Sequence, residues 1–313
     1  MPLAVGPAMT ATMGQPVVTP ILVTPLLVTL VAEGALSAGD AARASDTLRS
    51  AAGEPGAIAW IDSGDALDLG VTGLDQPAAR AALEAALPHV DAIVQPAAGP
   101  RRKALIIADM DSTMITCECI DELADYAGLK AEVAAVTEAA MRGELDFEAA
   151  LDARVALLAG MDAAVIDQCR RDRVRLTPGA AALVRTMTAN GARSILISGG
   201  FTAFARPVAA EIGFATVHAN TLVIADGRLT GKVARPIVDA AAKRAALIGA
   251  GVPLAATLAV GDGANDIPML EAAGLGIAYH AKPRAAAAAH AAVRHGNLTV
   301  LLRAQGYRRR DWV

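Results

Sequence analysis

Apolar residues in this chain come in short runs of strand length, separated by helical stretches, and the spacing changes near residue 100. Leu26 to Val31 reads as a strand, and Ser37 caps a helix running through Leu48. Ala57 to Ile61 and Leu67 to Val71 are strand-like runs on either side of the turn Ser63-Gly64-Asp65. Pro77 starts a helix that ends near Leu87, and Ala92 to Val94 is a further short strand. The order β-α-β-β-α-β predicts a small α+β unit over residues 17–95. Residues 1–16 lack periodicity and read as a flexible N-terminus. Gln95 to Pro100 reads as a linker, taken as 96–103 in the division of the chain.

A different pattern follows. Ala104 to Ala108 is a continuous apolar run that suits a parallel strand buried on both faces, and it ends in Asp109. Residues 119–175 are charged throughout and helical in pattern. After Pro178 the order is helix, strand (Ser194 to Ile197), helix, strand, hairpin, helix, strand (Thr257 to Val260) and helix. Strands alternating with helices predict a doubly wound, mainly parallel, Rossmann-like α/β core. That core takes residues 104–118 and 176–313, with 119–175 as a helical insertion after its first strand. The alanine run in Tyr279 to His290 reads as a helix without a functional role.

Composition narrows the function. Over 313 residues the chain is 54% hydrophobic but only 3% aromatic, with a net charge of −4. Few aromatic residues and no basic stripe argue against a nucleic-acid partner, and Arg308 to Arg310 reads as a solvated tail. The apolar segment Val17 to Val31 contains Pro20 and Pro25 and has no basic residue before it, so it reads as neither a secretory signal nor a membrane helix. Three cysteines, Cys117, Cys119 and Cys169, suit a reducing cytoplasm better than a disulfide framework and do not complete a zinc site. The five histidines show no ligand spacing.

The candidate chemistry sits at or just beyond the expected strand ends, where open α/β sheets bind ligands. Asp109-Met110-Asp111-Ser112-Thr113 places two carboxyl groups at i and i+2, facing one site in extended backbone. Two close carboxylates need a cation or a proton between them, which suits a metal-bound nucleophile beside a proton carrier. Ser198-Gly199-Gly200-Phe201 offers a hydroxyl and glycine amides to an anion. Lys243 is a point charge able to meet a phosphoryl group. Gly261-Asp262-Gly263-Ala264-Asn265-Asp266 supplies hard oxygen ligands that suit Mg²⁺.

Taken in this order, the four motifs resemble the haloacid dehalogenase superfamily of phosphohydrolases. Within it the likeness is to the branch that hydrolyses phosphoserine. It rests also on the segments ECIDELA (Glu118 to Ala124), MRGELDFEAALDARVALL (Met141 to Leu158) and GDGANDIPML (Gly261 to Leu270). The resemblance implies hydrolysis of O-phospho-L-serine through an aspartyl-phosphate, as the last step of serine biosynthesis, with 119–175 as the cap. It implies Asp109 as nucleophile and Asp111 as general acid and base. Asp109, the Asp111 backbone carbonyl and Asp262 would hold Mg²⁺, with Asp266 supporting the site through water or from behind these ligands. Ser198, Gly199, Gly200, Lys243 and Asn265 would face the phosphoryl group. Glu118 would meet the substrate ammonium and Arg154 its carboxylate, with Met141 and Phe147 walling the pocket. Met110 stands where relatives often carry Phe.

The N-terminal order of elements looks like an ACT-type regulatory fold, which implies amino-acid sensing and L-serine as an effector; a structural or dimerising role, as in a homodimer, is the other reading. Two further functional readings stay open. One is a phosphotransferase or phosphatase of the same chemistry acting on another small phosphate monoester. The other is a non-catalytic amino-acid-sensing protein.

Overall fold

The computed structural model describes residues 24–141 and 144–313. The expectations for residues 1–16 and for the start of the segment at Val17 lie outside the described residues. The N-terminal unit runs β1 (Leu26–Val31), α1 (Ala38–Ser50), β2 (Glu54–Asp62), β3 (Ala66–Thr72), α2 (Gln76–Ala86) and β4 (Asp91–Pro96). Its sheet is antiparallel in the order β2-β3-β1-β4. Both helices begin where local chemistry places them. The Ser37 Oγ accepts from the Asp40 amide at 3.1 Å while Asp40 Oδ2 accepts from the Ser37 amide at 3.0 Å, a reciprocal cap. Asp75 caps α2 by accepting from the Ala78 amide at 2.8 Å. β2 begins at Glu54, earlier than its apolar run, because backbone pairing with β3 continues through an irregularity into residues that face solvent.

The second unit is built on β5 (Leu105–Ala108), which leads into a tight turn over Met110–Met114. Four helices follow: α3 (Cys119–Tyr126), α4 (Lys130–Met141), α5 (Phe147–Ala156) and α6 (Ala164–Arg173). The chain then forms α7 (Ala180–Ala189), β6 (Arg193–Phe201), α8 (Thr202–Ile212), β7 (Thr216–Asn220), β8 (Leu222–Ala225), β9 (Arg228–Val233) and α9 (Ala240–Gly249). It ends with β10 (Thr257–Gly261), α10 (Ile267–Ala272), β11 (Leu275–Tyr279), α11 (Pro283–Ala288), β12 (Ala291–Val293) and α12 (Val300–Ala304). A six-stranded parallel sheet has the order β12-β11-β10-β5-β6-β7. The expected doubly wound core is therefore present. β5, β10 and β11 are buried along their full length, as their unbroken apolar sequences require.

The order of strands reverses at β5, so the chain departs to opposite sides of it and leaves a crevice at its carboxyl end. The β8–β9 hairpin stands outside that sheet. Its backbone is joined to the loop between α5 and α6, with the Gly160 amide donating to Leu229 O at 2.8 Å and the Leu229 amide to Met161 O at 2.9 Å. Helical insertion and hairpin thus form one lid-like layer. β12 was not legible in the alanine-rich sequence; it forms because β11 offers it a parallel neighbour.

The two units are held together by buried polar groups. The Asp91 carboxylate at the start of β4 is 2% exposed and accepts three backbone amides: Arg294 at 2.7 Å, His295 at 3.2 Å and Gly296 at 2.7 Å. Arg303 of α12, also 2% exposed, pairs with Asp62 and with Asp65, the latter at 3.0 Å. Arg80 of α2 donates to the carbonyls of Ala286 and Ala289 at the end of α11. Replacing Asp91 removes the shared acceptor of three backbone amides at this junction. Asp91→Ala is expected to lower stability by about 3 kcal/mol in urea unfolding. A shift below about 0.5 kcal/mol would mean that solvent satisfies those amides.

Candidate active site

The crevice at the end of β5 is where the sequence motifs converge. The Asp109 amide donates to Val260 O at 2.9 Å, which extends the β5–β10 pairing by one residue and turns the carboxylate to the sheet edge. Two residues on, Asp111 is still extended, and Ser112 then adopts a left-handed backbone with φ of +53°. That turn brings the chain back so that the Ser112 amide meets Cys117 O at 3.1 Å and the Ser112 hydroxyl donates to Glu118 Oε1 at 2.7 Å. The Cys119 amide donates to Asp111 Oδ1 at 3.2 Å. One tight turn therefore sets both carboxylates and Glu118 around the same space.

The other motifs arrive from neighbouring strands. β6 ends in Ser198-Gly199-Gly200, with the Gly200 amide donating to Ser198 Oγ at 2.8 Å. A Cβ on Gly200 would come within 2.7 Å of Asp111 Oδ2, and one on Gly199 within 3.1 Å of the Phe147 ring. A side chain at Gly200 would displace the Asp111 carboxylate, which lies directly over the backbone. Asn220 of β7 holds this strand end in place, donating to Gly199 O at 2.8 Å and accepting from the Val238 amide at 2.8 Å.

Behind the cavity floor, Lys243 of α9 is fully buried, with Nζ 2.7 Å from Asp109 Oδ1 and 2.7 Å from Asp266 Oδ1. The other Asp266 oxygen accepts from the amides of Asp262 at 3.2 Å and Gly263 at 3.0 Å, which folds the loop after β10 around it. Burial, opposed by the two carboxylates, governs Lys243; the balance raises its pKa, so it stays charged.

The cavity, of about 110 Å³, is lined by Asp109, Asp111, Glu118, Phe147, Arg154, Ser198, Gly199, Gly200, Asp262 and Asn265 among others. Ten positions singled out from sequence thus share one space, with Lys243 and Asp266 beneath it. Met141 ends α4, and its side chain lies outside the described residues. Ile120, Leu151, Phe201, Gly263 and Lys282 also line the cavity and were not anticipated. The alanine run forms α11 as expected, and Lys282, just before it, reaches the cavity. The signal available was its place just after β11, on the same sheet edge as the other motifs.

The carboxyl groups crowd one another. Burial, then the charge of Asp266, drives the Asp109 carboxyl well above the ordinary carboxylate range, against the pull of Lys243. Burial and then Glu118 push Asp111 up to about 7, and burial and then Asp266 push Asp262 up to about 6. Asp109, Asp262 and Asp266 each bring an oxygen within 4.8 Å of the others. A buried, all-oxygen donor set of three carboxylates fits a hard divalent cation.

Comparison with known proteins agrees with this geometry. Residues 106–271 match the haloacid dehalogenase-like hydrolase family model. A phosphoserine phosphatase of Streptomyces coelicolor is 49% identical over 254 residues, which is 79% of this chain and 62% of that protein's length. A phosphoserine phosphatase of Polaromonas is 48% identical over 63% of this chain and 88% of that protein. The unliganded structure of a probable phosphoserine phosphatase from Vibrio cholerae superposes with a TM-score of 0.72 at 33% identity, covering 90% of this chain and 87% of that one. With the family match spanning more than half of its residues and the aspartate, serine and lysine motifs meeting at one sheet edge, this chain belongs to the haloacid dehalogenase-like hydrolase family.

Proposed function

We propose that this protein hydrolyses O-phospho-L-serine to L-serine and inorganic phosphate through an aspartyl-phosphate on Asp109. The observation that carries this reading is that Glu118 and Arg154, a carboxylate and a guanidinium, line the same small cavity as Asp109 and Ser198. A zwitterionic amino acid presents an ammonium and a carboxylate beside its phosphate, and these two side chains are their complements. The relatives named phosphoserine phosphatase support the substrate. The three free cysteines are in keeping with a reducing, cytoplasmic setting. No helix among the described residues is long and apolar enough to cross a membrane.

In the first half-reaction an Asp109 carboxylate oxygen attacks phosphorus and the bond from phosphorus to the serine oxygen breaks. Asp111 gives its proton to the departing oxygen; a pKa near 7 keeps a useful share of this carboxyl protonated at neutral pH. In the second, the Asp111 carboxylate takes a proton from water as that water attacks phosphorus, which frees phosphate and restores Asp109. Ser198, the glycine amides beside it and Lys243 offset the charge on the phosphoryl oxygens. Mg²⁺ held by Asp109, Asp262 and the Asp111 carbonyl, with Asp266 behind them, would add positive charge at the same oxygens. The Phe147 ring over Gly199 helps keep bulk water from the site.

Phosphate release should be fast with phosphoserine, slower with phosphothreonine and phosphoglycolate, and lost on chelation until Mg²⁺ is restored. A preference for another ester would keep the chemistry and remove the substrate. Asp109→Asn is expected to lower turnover by about a thousandfold or more while leaving the unfolding midpoint near that of the parent; substantial residual turnover would exclude the aspartyl-phosphate. Arg154→Ala should raise KM for phosphoserine by roughly 10–100-fold, the loss of a charge-assisted contact, and leave an aryl phosphate little changed. Equal losses on both esters would show that Arg154 does not read the carboxylate.

A further inference from the structure

Building on the phosphatase reading, we propose that Lys282 is a phosphoryl-binding residue, a second cation that receives the substrate phosphate at the exposed edge of the cavity. Four carboxyl-bearing residues line that cavity, Asp109, Asp111, Glu118 and Asp262, against two cationic ones, Arg154 and Lys282. Lys243 does not redress this imbalance at the surface of the cavity. It is fully buried, and its charge is already shared by Asp109 and Asp266 at 2.7 Å each. Arg154 comes from α5 in the helical insertion, and the zwitterion reading gives it to the substrate carboxylate. Besides the Mg²⁺ that the phosphatase reading would place there, a phosphate dianion approaching from the sheet side meets one uncommitted cationic side chain among the lining residues. Lys282 makes no ion pair among the described residues.

The backbone is shaped to hold that side chain there. His280 takes a left-handed conformation, φ +42°, directly after β11, which swings the chain across the sheet edge. Its ring Nε2 is 2.9 Å from Gly296 O, and its amide donates to Val293 O at 2.8 Å. Two residues later the Lys282 amide donates to Asp262 O at 3.1 Å, which ties the lysine to the loop that carries a candidate metal ligand. The N-terminal unit braces the same segment from behind. Arg80 holds the end of α11, and Asp91 accepts from the amide of Gly296. An exposed lysine whose backbone is fixed by two units of the protein keeps its stem at the cavity mouth, where its ammonium can reach an entering anion.

The test is Lys282→Met, which keeps the aliphatic stem, beside Lys282→Arg. It reads KM for phosphoserine and for an aryl phosphate, the inhibition constant of inorganic phosphate, and the melting temperature. Lys282→Met is expected to raise both KM values and the phosphate inhibition constant by the same factor, about tenfold. Lys282→Arg should recover most of that loss, with melting temperatures unchanged in both. Constants within about twofold of the parent would overturn the proposal. So would a rise confined to phosphoserine, which would give Lys282 to the substrate carboxylate. A fall in melting temperature without rescue by arginine would make it a structural residue and likewise overturn the proposal. If the parent proves inactive on phosphoserine, the aryl ester and calorimetric binding of inorganic phosphate still decide the role of Lys282, so the two readings fail separately.

Discussion

The site depends on one buried ionic arrangement, the Lys243 ammonium between the carboxylates of Asp109 and Asp266. A lysine with no exposed surface is stable as a cation only when paired, and two carboxylates this close are stable as anions only with a cation between them. Each member therefore fixes the others. Asp266 in turn organises the loop after β10 through the amides of Asp262 and Gly263, and Gly261 must lack a side chain because a Cβ there would meet Asp266 at 2.4 Å. Asp109, the buried lysine and the candidate metal loop are in this way parts of one packing solution.

That solution leaves a surplus of negative charge facing the cavity, and the surplus has chemical use. Burial, and then the charge of Glu118, raise the Asp111 carboxyl to about 7, where the group can both give and take a proton near neutrality. The same packing gathers oxygens of Asp109, Asp262 and Asp266 within 4.8 Å of one another, a cluster that suits a cation. The positive groups that face this surplus come from separate parts of the chain, Arg154 from the helical insertion and Lys282 from the turn after β11, with Lys243 of α9 beneath the floor.

The surrounding layers serve this arrangement in different ways. The helical insertion contributes Phe147 and Arg154 and is tied at its far side to the β8–β9 hairpin by backbone bonds. The N-terminal unit contributes no residue to the cavity lining, yet its Asp91, Arg80 and Gln95 bond to the segments that follow β11 and β12. Burial of Asp91 and Arg303 at that junction makes the contact costly to open, since each would lose charged hydrogen bonds.

Much of the core was legible in the amino-acid sequence because it is encoded locally. Short apolar runs such as LIIA and LAVG suit strands covered on both faces, and motifs that begin where such strands end are placed at a sheet edge. The same logic located Asp109, Ser198 and Asp262 before any contact was known. Other features depend on neighbours distant in sequence. Three alanine-rich residues became β12 only because β11 lay beside them, and the hairpin joined the helical insertion through bonds across more than sixty positions. Lys282 reads in sequence as one more surface lysine beside an alanine run; the left-handed turn at His280 and the packing of α11 bring it to the cavity. Local pattern determines which segments are strands and which residues stand at their ends, whereas charge balance inside a cavity is a sum over distant residues and only the tertiary structure decides it.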